Sequence, residues 1–127
     1  MMNKIILTTV LVFLGVFAQA EDKPLVFICH KGLHYDKKEV TYAFKAYLDE
    51  PRPIDNKDLF SSMLNFIHYT PERYKKTWHK MYFRRALFIP KMAENDAEVI
   101  AWVAKSYGGV GYVHSVPNNP KVEVCGQ

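Results

Sequence analysis

The sequence has 127 residues, with 17 Lys and Arg against 13 Asp and Glu and a formal net charge of +4. This length allows one domain with a modest core beside an export segment, and it leaves no room for a second domain. The positive charge is mild. It is compatible with an anionic ligand or partner, but it does not indicate a nucleic-acid-binding protein.

Residues 1–20 have the pattern of a cleaved export signal. Lys4 precedes an apolar run from Ile5 to Phe17, and Ala18-Gln19-Ala20 is a small-residue cleavage site. The alternative is a single membrane anchor, but the run is shorter than the roughly 20 residues that a span requires. We therefore expect a periplasmic protein of residues 21–127 without a membrane span. Its net charge would be +3, because cleavage removes one of the 17 basic residues.

The remaining sequence contains two cysteines, Cys29 and Cys125, close to its two ends. An even number of cysteines in an oxidising compartment favours a disulfide bond over two separately buried thiols. A bridge would close a loop of nearly the whole domain and contribute about 4 kcal/mol in the chain-entropy description.

The first half of the chain predicts a strand followed by helices. The continuous apolar run Leu25 to Cys29 is typical of a strand that is buried on both faces. Asp36 can cap a helix that continues to Tyr47, and the prolines that follow end it. Pro53 to Asn56 is interpreted as a very short strand or a link, and Lys57 to Tyr69 as a second amphipathic helix.

The second half predicts two helices and two strands. Thr70-Pro71-Glu72 starts a helix that runs to Arg85, and an apolar connection follows. Glu94 to Val113 predicts a helix capped by Asn95 and ended by Gly108-Gly109, and then a buried strand. From Lys121 to Cys125 polar and apolar residues alternate, which predicts a half-exposed strand. The order β-α-(β)-α-α-α-β-β indicates a single small, three-layer α/β domain.

Basic and aromatic residues are interleaved in the helix that begins after Thr70. We interpret this pattern as a solvated basic face and an aromatic face turned towards the core. The residues concerned are Arg73, Tyr74, Lys75, Lys76, Trp78, Lys80, Tyr82, Phe83, Arg84 and Arg85.

Five segments, which together span nearly all of residues 21–127, form a recognisable series. They are Lys38 to Tyr47, Pro53 to Asn56, Trp78 with Tyr82 or Phe83, Ile89-Pro90, and Asp96 to Val113. The last, D-A-E-V…V…G-G-V-G-Y-V, is the most specific. Taken in this order, the segments resemble one lobe of the phosphate-type periplasmic substrate-binding proteins of ABC transporters. The resemblance implies the fold of one lobe of a type 2 periplasmic binding protein.

Members of that family hold an oxyanion in a loop rich in serine and glycine at a helix N-terminus. The counterpart here is Asp55 to Ser62, which lacks the glycines and the arginine and contains the bulky pair Leu59-Phe60. The resemblance implies ligand contacts from Asn56, Lys57, Ser61 and Ser62. The alternative for the two serines is an ordinary place in the first turn of a helix.

Other kinds of chemistry have weaker support. The histidines His30, His34, His68 and His79 have no recognised zinc-ligand spacing, so no metal site is predicted. No nucleophile motif or cofactor motif is present, and we expect no enzymatic activity. Trp102 and Tyr107 either cover the edge of the sheet or contribute to a surface for a partner chain.

Three functions remain as hypotheses. The first is a non-catalytic exported domain that binds phosphate or another small oxyanion weakly, beside an ABC transporter or with a second lobe. The second is an interaction or adaptor module that keeps the fold but has lost ligand binding. The third, which the histidine spacing disfavours, is a histidine-dependent metal binder.

Overall fold

The computed structural model describes residues 24–127, so the predicted export signal at residues 1–20 lies outside the described residues. Within residues 24–127 the chain forms six strands, four α-helices and one 3-10 turn. In chain order these are β1 (Val26–His30), α1 (Lys37–Phe44), β2 (Arg52–Pro53), β3 (Asp55–Asn56), the 3-10 turn (Lys57–Leu59), α2 (Phe60–Ile67), α3 (Pro71–Arg85), β4 (Met92–Ala93), α4 (Asp96–Lys105), β5 (Gly109–Val113) and β6 (Val122–Val124).

Four of the strands form a mixed sheet in the order β2-β5-β1-β6. Strand β1 is antiparallel to both of its neighbours, and Ile28 lies opposite Gly111 on β5 and Val124 on β6. Strand β2 is parallel to β5. Strands β3 and β4 form a separate parallel pair. The class predicted from the sequence, a mixed α/β domain, is therefore confirmed.

Helices cover both faces of the sheet, which explains why β1 is continuously apolar. Phe27 and Cys29 belong to a core cluster that includes residues of α1, α2 and α3. Ile28, which points to the other face, packs in a second cluster with Val99 and Val103 of α4. Because side chains alternate along a strand, each face of β1 supplies a different core.

The helix starts follow the predicted capping residues. Asp36 and Glu39 form a reciprocal capping box at α1. Thr70 accepts a hydrogen bond from the backbone of Arg73 at α3, and Asn95 does the same for α4. Each cap satisfies an N–H group that would otherwise lack a partner in the first turn.

Helix ends were predicted less well. Helix α1 stops at Phe44 instead of Tyr47, and Ala46 has a positive φ of 62°. Helix α4 stops at Lys105, before the glycine pair. A Cβ on Gly109 would lie 2.7 Å from the Trp102 ring, so the chain turns back closely against its own helix. Glycine is required there by this close approach.

The apolar residues of α4 do not all face the sheet. Val99 and Val103 are buried, whereas Ala97 and Ala101 are exposed. Alanine adds little hydrophobic area, so its helical spacing does not determine which side of the helix meets the sheet.

A disulfide bond joins Cys29 to Cys125, as the cysteine count favoured, and the Cα atoms are 5.9 Å apart. The backbone N–H of Cys125 also donates to the carbonyl of Phe27 at 2.9 Å. The end of the chain is therefore attached to the central strand by both a covalent bond and a hydrogen bond.

Candidate functional site

The residues expected to bind an oxyanion lie at the junction of β3, the 3-10 turn and α2. Asn56 is fully buried, and its side chain is already engaged. The Asn56 oxygen accepts from the N–H of Asp58 at 3.1 Å. Its Nδ2 donates to Asp96 Oδ1 at 2.8 Å and to the carbonyl of Tyr112 at 3.0 Å. The amide thus ties three segments of the fold together.

The other three predicted contacts are distributed differently. Lys57 is exposed and forms an ion pair with Glu94 at 3.3 Å. Ser61 is exposed, whereas Ser62 is almost fully buried. Ser62 lines a shallow surface depression with Lys37 and Gln127, and the other three residues do not line it. The structure brings Asn56 and Lys57 together with carboxylates, and it places Ser62 at a separate depression.

Asp96 and His114, which the sequence did not single out, complete the polar surroundings of Asn56. Asp96 accepts from the His114 backbone N–H at 2.9 Å and lies 2.9 Å from His114 Nδ1. Burial raises the pKa of Asp96, but the hydrogen bonds from His114 and Asn56 outweigh it and hold the pKa below its usual value. A charged carboxylate here opposes the binding of an anion.

Asp55 forms a buried polar cluster with two tyrosines behind this junction. Tyr74 donates to Asp55 Oδ2 and Tyr112 to Asp55 Oδ1, each at 2.9 Å. Burial raises the pKa of Asp55 to about 7, although the two hydrogen bonds act to lower it. Burial and the nearby Asp55 carboxyl also raise the pKa of each tyrosine. The cluster connects β3, α3 and β5, and it has no opening that would admit a substrate, because all three side chains are buried.

The second half of α3 and the loop after it carry apolar side chains on the surface. Tyr74 and Trp78 are in the core, as predicted. Tyr82 and Phe83 were expected there too, and this was wrong: Tyr82 is 47% exposed and Phe83 81% exposed. In this 15-residue helix only Tyr74 and Trp78 are buried, where they hydrogen-bond with Asp55 and with the Phe44 carbonyl. Phe88, at 80%, and the half-exposed Ile89 extend the apolar surface. We call the segment from Tyr82 to Lys91 the aromatic–basic tip.

A pocket of about 270 Å³ lies beside the aromatic–basic tip. Trp78, Phe88 and Ile89 line one part of it, and Trp102 of α4 lines another. Trp102 therefore contributes to a surface next to the tip. Tyr107 is 70% exposed, and its ring lies 5.5 Å from that of His30, away from this pocket's lining.

Residues 24–127 contain no group of three or more His, Cys, Asp or Glu side chains arranged to hold a metal ion. Among the helices of the same residues, none combines the length and the apolar character needed to cross a bilayer.

The fold and these sites define a mixed α/β domain with a disulfide bond, a buried Asp-Tyr-Tyr cluster and an exposed apolar tip. No protein-family model matches the chain, and comparison with curated proteins and with solved structures finds no match.

Proposed function

We propose that this protein is an exported, non-catalytic interaction module with a fold similar to one lobe of a phosphate-type periplasmic substrate-binding protein. In this proposal the domain contacts another molecular surface and does not enclose a small ligand. The observation that carries it is the exposure of Tyr82, Phe83, Phe88 and Ile89 in one stretch of chain. Apolar side chains that remain uncovered on a folded domain commonly mark an interaction surface.

Two features support the similarity to a binding-protein lobe. Helix α4 runs from its Asn95 cap and leads within a few residues into the buried strand β5. Strand β5 then lies between β1 and the parallel strand β2, with helices on both faces of the sheet. This is the helix–glycine–strand unit on which the resemblance most depends.

The polar junction at Asn56 favours the interaction module over the hypothesis of an oxyanion binder. The Asn56 amide is occupied by internal partners, and Lys57 is paired with Glu94. An oxyanion would have to displace that ion pair while lying near Asp58 and Asp96, which adds repulsion. A phosphate-binding role beside an ABC transporter therefore has less support from the geometry than a role at a surface.

A calorimetric titration of residues 21–127 with phosphate and with sulfate separates the two hypotheses. We expect no saturable heat, because the Asn56 amide is occupied and Lys57 is paired with Glu94. Saturable heat with phosphate that disappears in the Lys57→Ala variant would support the oxyanion hypothesis and contradict ours. The Lys105→Ala variant, which removes an exposed lysine at the end of α4, serves as the matched control.

Photo-crosslinking tests the interaction module directly. A photoreactive phenylalanine analogue replaces Phe83 in one protein and Tyr107 in another, since both side chains are largely exposed. We expect adducts in the exporting cell from position 83, with either lipid or protein, and few from position 107. Equal adduct formation from both positions, or none from position 83, would contradict the proposed function.

A further inference from the structure

We infer that the aromatic–basic tip docks the domain onto an anionic phospholipid bilayer. Phe83 and Phe88 enter the boundary between headgroups and acyl chains, and the neighbouring Arg and Lys side chains contact lipid phosphates. This inference rests on the proposed function and names the surface that the module contacts.

The two phenylalanine rings of the tip are left largely uncovered by the rest of the fold. Phe83 and Phe88 are each about 80% exposed, although a phenylalanine ring offers no hydrogen bond to water. Tyr82 packs edge-on against Phe83 with ring centroids 5.4 Å apart. The helix ends between the two phenylalanines, where Ala86 has a positive φ of 55°. They therefore project from a helix terminus and the loop that follows it.

The aromatic–basic tip lies within a longer stretch in which every charged side chain is basic. From Arg73 to Ala93 the sequence has seven Lys and Arg and no Asp or Glu. The rest of residues 24–127 has eight basic against eleven acidic residues. The domain is therefore electrically asymmetric, and an anionic surface attracts the end that bears the exposed aromatic side chains.

Most of this basic charge is free to meet an external partner. Arg85 is paired with Asp49 at 2.7 Å, in an exposed ion pair. Lys80, Arg84 and Lys91 form no ion pair within the described residues. Basic residues beside exposed aromatic ones are typical of segments that lie at a membrane interface.

The shape of the tip favours a bilayer over an acidic protein partner. A protein partner has to supply a concave surface that fits protruding rings, since specific interfaces require close shape complementarity. Fluid acyl chains accommodate protruding side chains without such a fit. Phe83 is 81% exposed and lies outside the lining of the neighbouring 270 Å³ pocket, so its ring protrudes, and Phe88 is 80% exposed although it lines that pocket.

Vesicle co-sedimentation tests the inference. Oxidised protein of residues 21–127 is mixed with vesicles of phosphatidylcholine alone, or of phosphatidylcholine and phosphatidylglycerol in equal amounts. We expect binding to the anionic vesicles that is at least about tenfold tighter than to the neutral ones and that weakens as salt rises well above 0.1 M.

Two pairs of substitutions locate the binding surface. The double variant F83S/F88S should lose about tenfold or more in affinity for the anionic vesicles, because it removes the inserted rings. The matched control Y107S/V116S changes two residues that are exposed to a similar degree, at 70% and 69%, and should bind as the unchanged protein does. All four positions are exposed, and circular dichroism verifies that each variant is folded.

Several outcomes would overturn the inference. One is absence of binding to anionic vesicles, and another is an equal loss in F83S/F88S and Y107S/V116S. A third is salt-sensitive binding that is not weakened in F83S/F88S. That result would show that charge alone holds the protein on the vesicles and that the rings do not insert. If vesicles do not bind but position 83 crosslinks to a protein, the lipid inference fails and the proposed interaction module stands. If neither vesicles nor crosslinks are found, both fail.

Discussion

Asp55 is an ionisable side chain that is almost completely removed from water. It is 2% exposed, and its two carboxyl oxygens accept hydrogen bonds from Tyr74 and Tyr112. Burial raises its pKa from 3.8 to about 7. The folded protein therefore binds a proton in a pH range in which the unfolded chain has released it, and Asp55 makes stability depend on pH.

The sign of this dependence follows from the raised pKa. Between pH 3.8 and about 7 the folded state holds the proton and the unfolded state does not. The free energy of unfolding contributed by Asp55 therefore falls as pH rises, by up to about 1.4 kcal/mol for each pH unit. Above pH 7 both states are ionised, and the stabilising contribution has been lost.

The Asp55→Asn variant should remove this contribution. Asparagine can still hydrogen-bond with both tyrosine hydroxyls but carries no charge, so we expect unfolding at pH 8 to require about 1–2 kcal/mol more than in the unchanged protein. Urea denaturation between pH 5 and pH 8 measures the effect. The exposed Asp58→Asn serves as control, and the same pH slope in all three proteins would contradict the role of Asp55.

At Gly111, helix α4 and strand β5 lie so close together that no side chain fits between them. A Cβ at this position would lie 2.5 Å from Val99 Cγ1 and 3.0 Å from Ile54 Cγ2. The helix therefore packs directly on the backbone of the strand. The register supports this, because Gly111 lies opposite Ile28, whose side chain fills the same cluster.

The Gly111→Ala variant should be destabilised by about 1–3 kcal/mol, because the new methyl group overpacks this contact. Thermal or urea denaturation measures the loss. Val99→Ala removes the atom that would clash, so the same Gly111→Ala change should cost less in that background. Equal costs in the two backgrounds would show that the contact with Val99 is not the cause.

The sequence predicted the bounds of helix α3 but not which of its aromatic side chains are buried. Its bounds, Pro71–Arg85, are those indicated by the Thr70-Pro71-Glu72 start and the basic C-terminal turn. Aromatic residues recur along the whole helix, but only Tyr74 and Trp78 reach the core. The pattern of residues does not record how far the core extends along the helix, and this decides which rings stay exposed.

The two core clusters lie on opposite faces of the central sheet, and the bond between Cys29 and Cys125 lies within one of them. The bridge links residues 96 positions apart, so it closes nearly all of the described chain into one loop. Cys29 is fully buried in the cluster beneath α1, α2 and α3. A loop of this size restricts the unfolded chain strongly.

The double variant C29A/C125A should lose about 3–5 kcal/mol of unfolding free energy, because the unfolded chain regains the entropy of an open loop. Urea denaturation of oxidised protein measures this difference. Addition of dithiothreitol should lower the unfolding free energy of the unchanged protein to nearly that of the variant, and it should not change the unfolding free energy of the variant. If reduction does not lower the stability of the unchanged protein, the bridge makes no such contribution.

Local chemistry was sufficient to predict several parts of this protein. Asp36, Thr70 and Asn95 identified three helix starts, because a cap depends only on residues a few positions away. The apolar run before Cys29 identified the central strand, and the cysteine count favoured the disulfide bond. These features are encoded within short windows or in composition, so the mixed α/β class could be inferred from them.

Other features depend on contacts between residues that are distant in the sequence, and short windows could not predict them. Asp55–Asn56 pairs with Met92–Ala93. The sequence left the first segment open between a very short strand and a link, and it predicted no strand at the second. The Asp55 cluster and the contacts of Asn56 with Asp96 and Tyr112 unite residues that are far apart in the chain. Side chains that are so far apart in the sequence come into contact only when the sheet has formed. For the same reason, the occupied amide of Asn56 and the exposed rings of Phe83 and Phe88 were decided by tertiary packing.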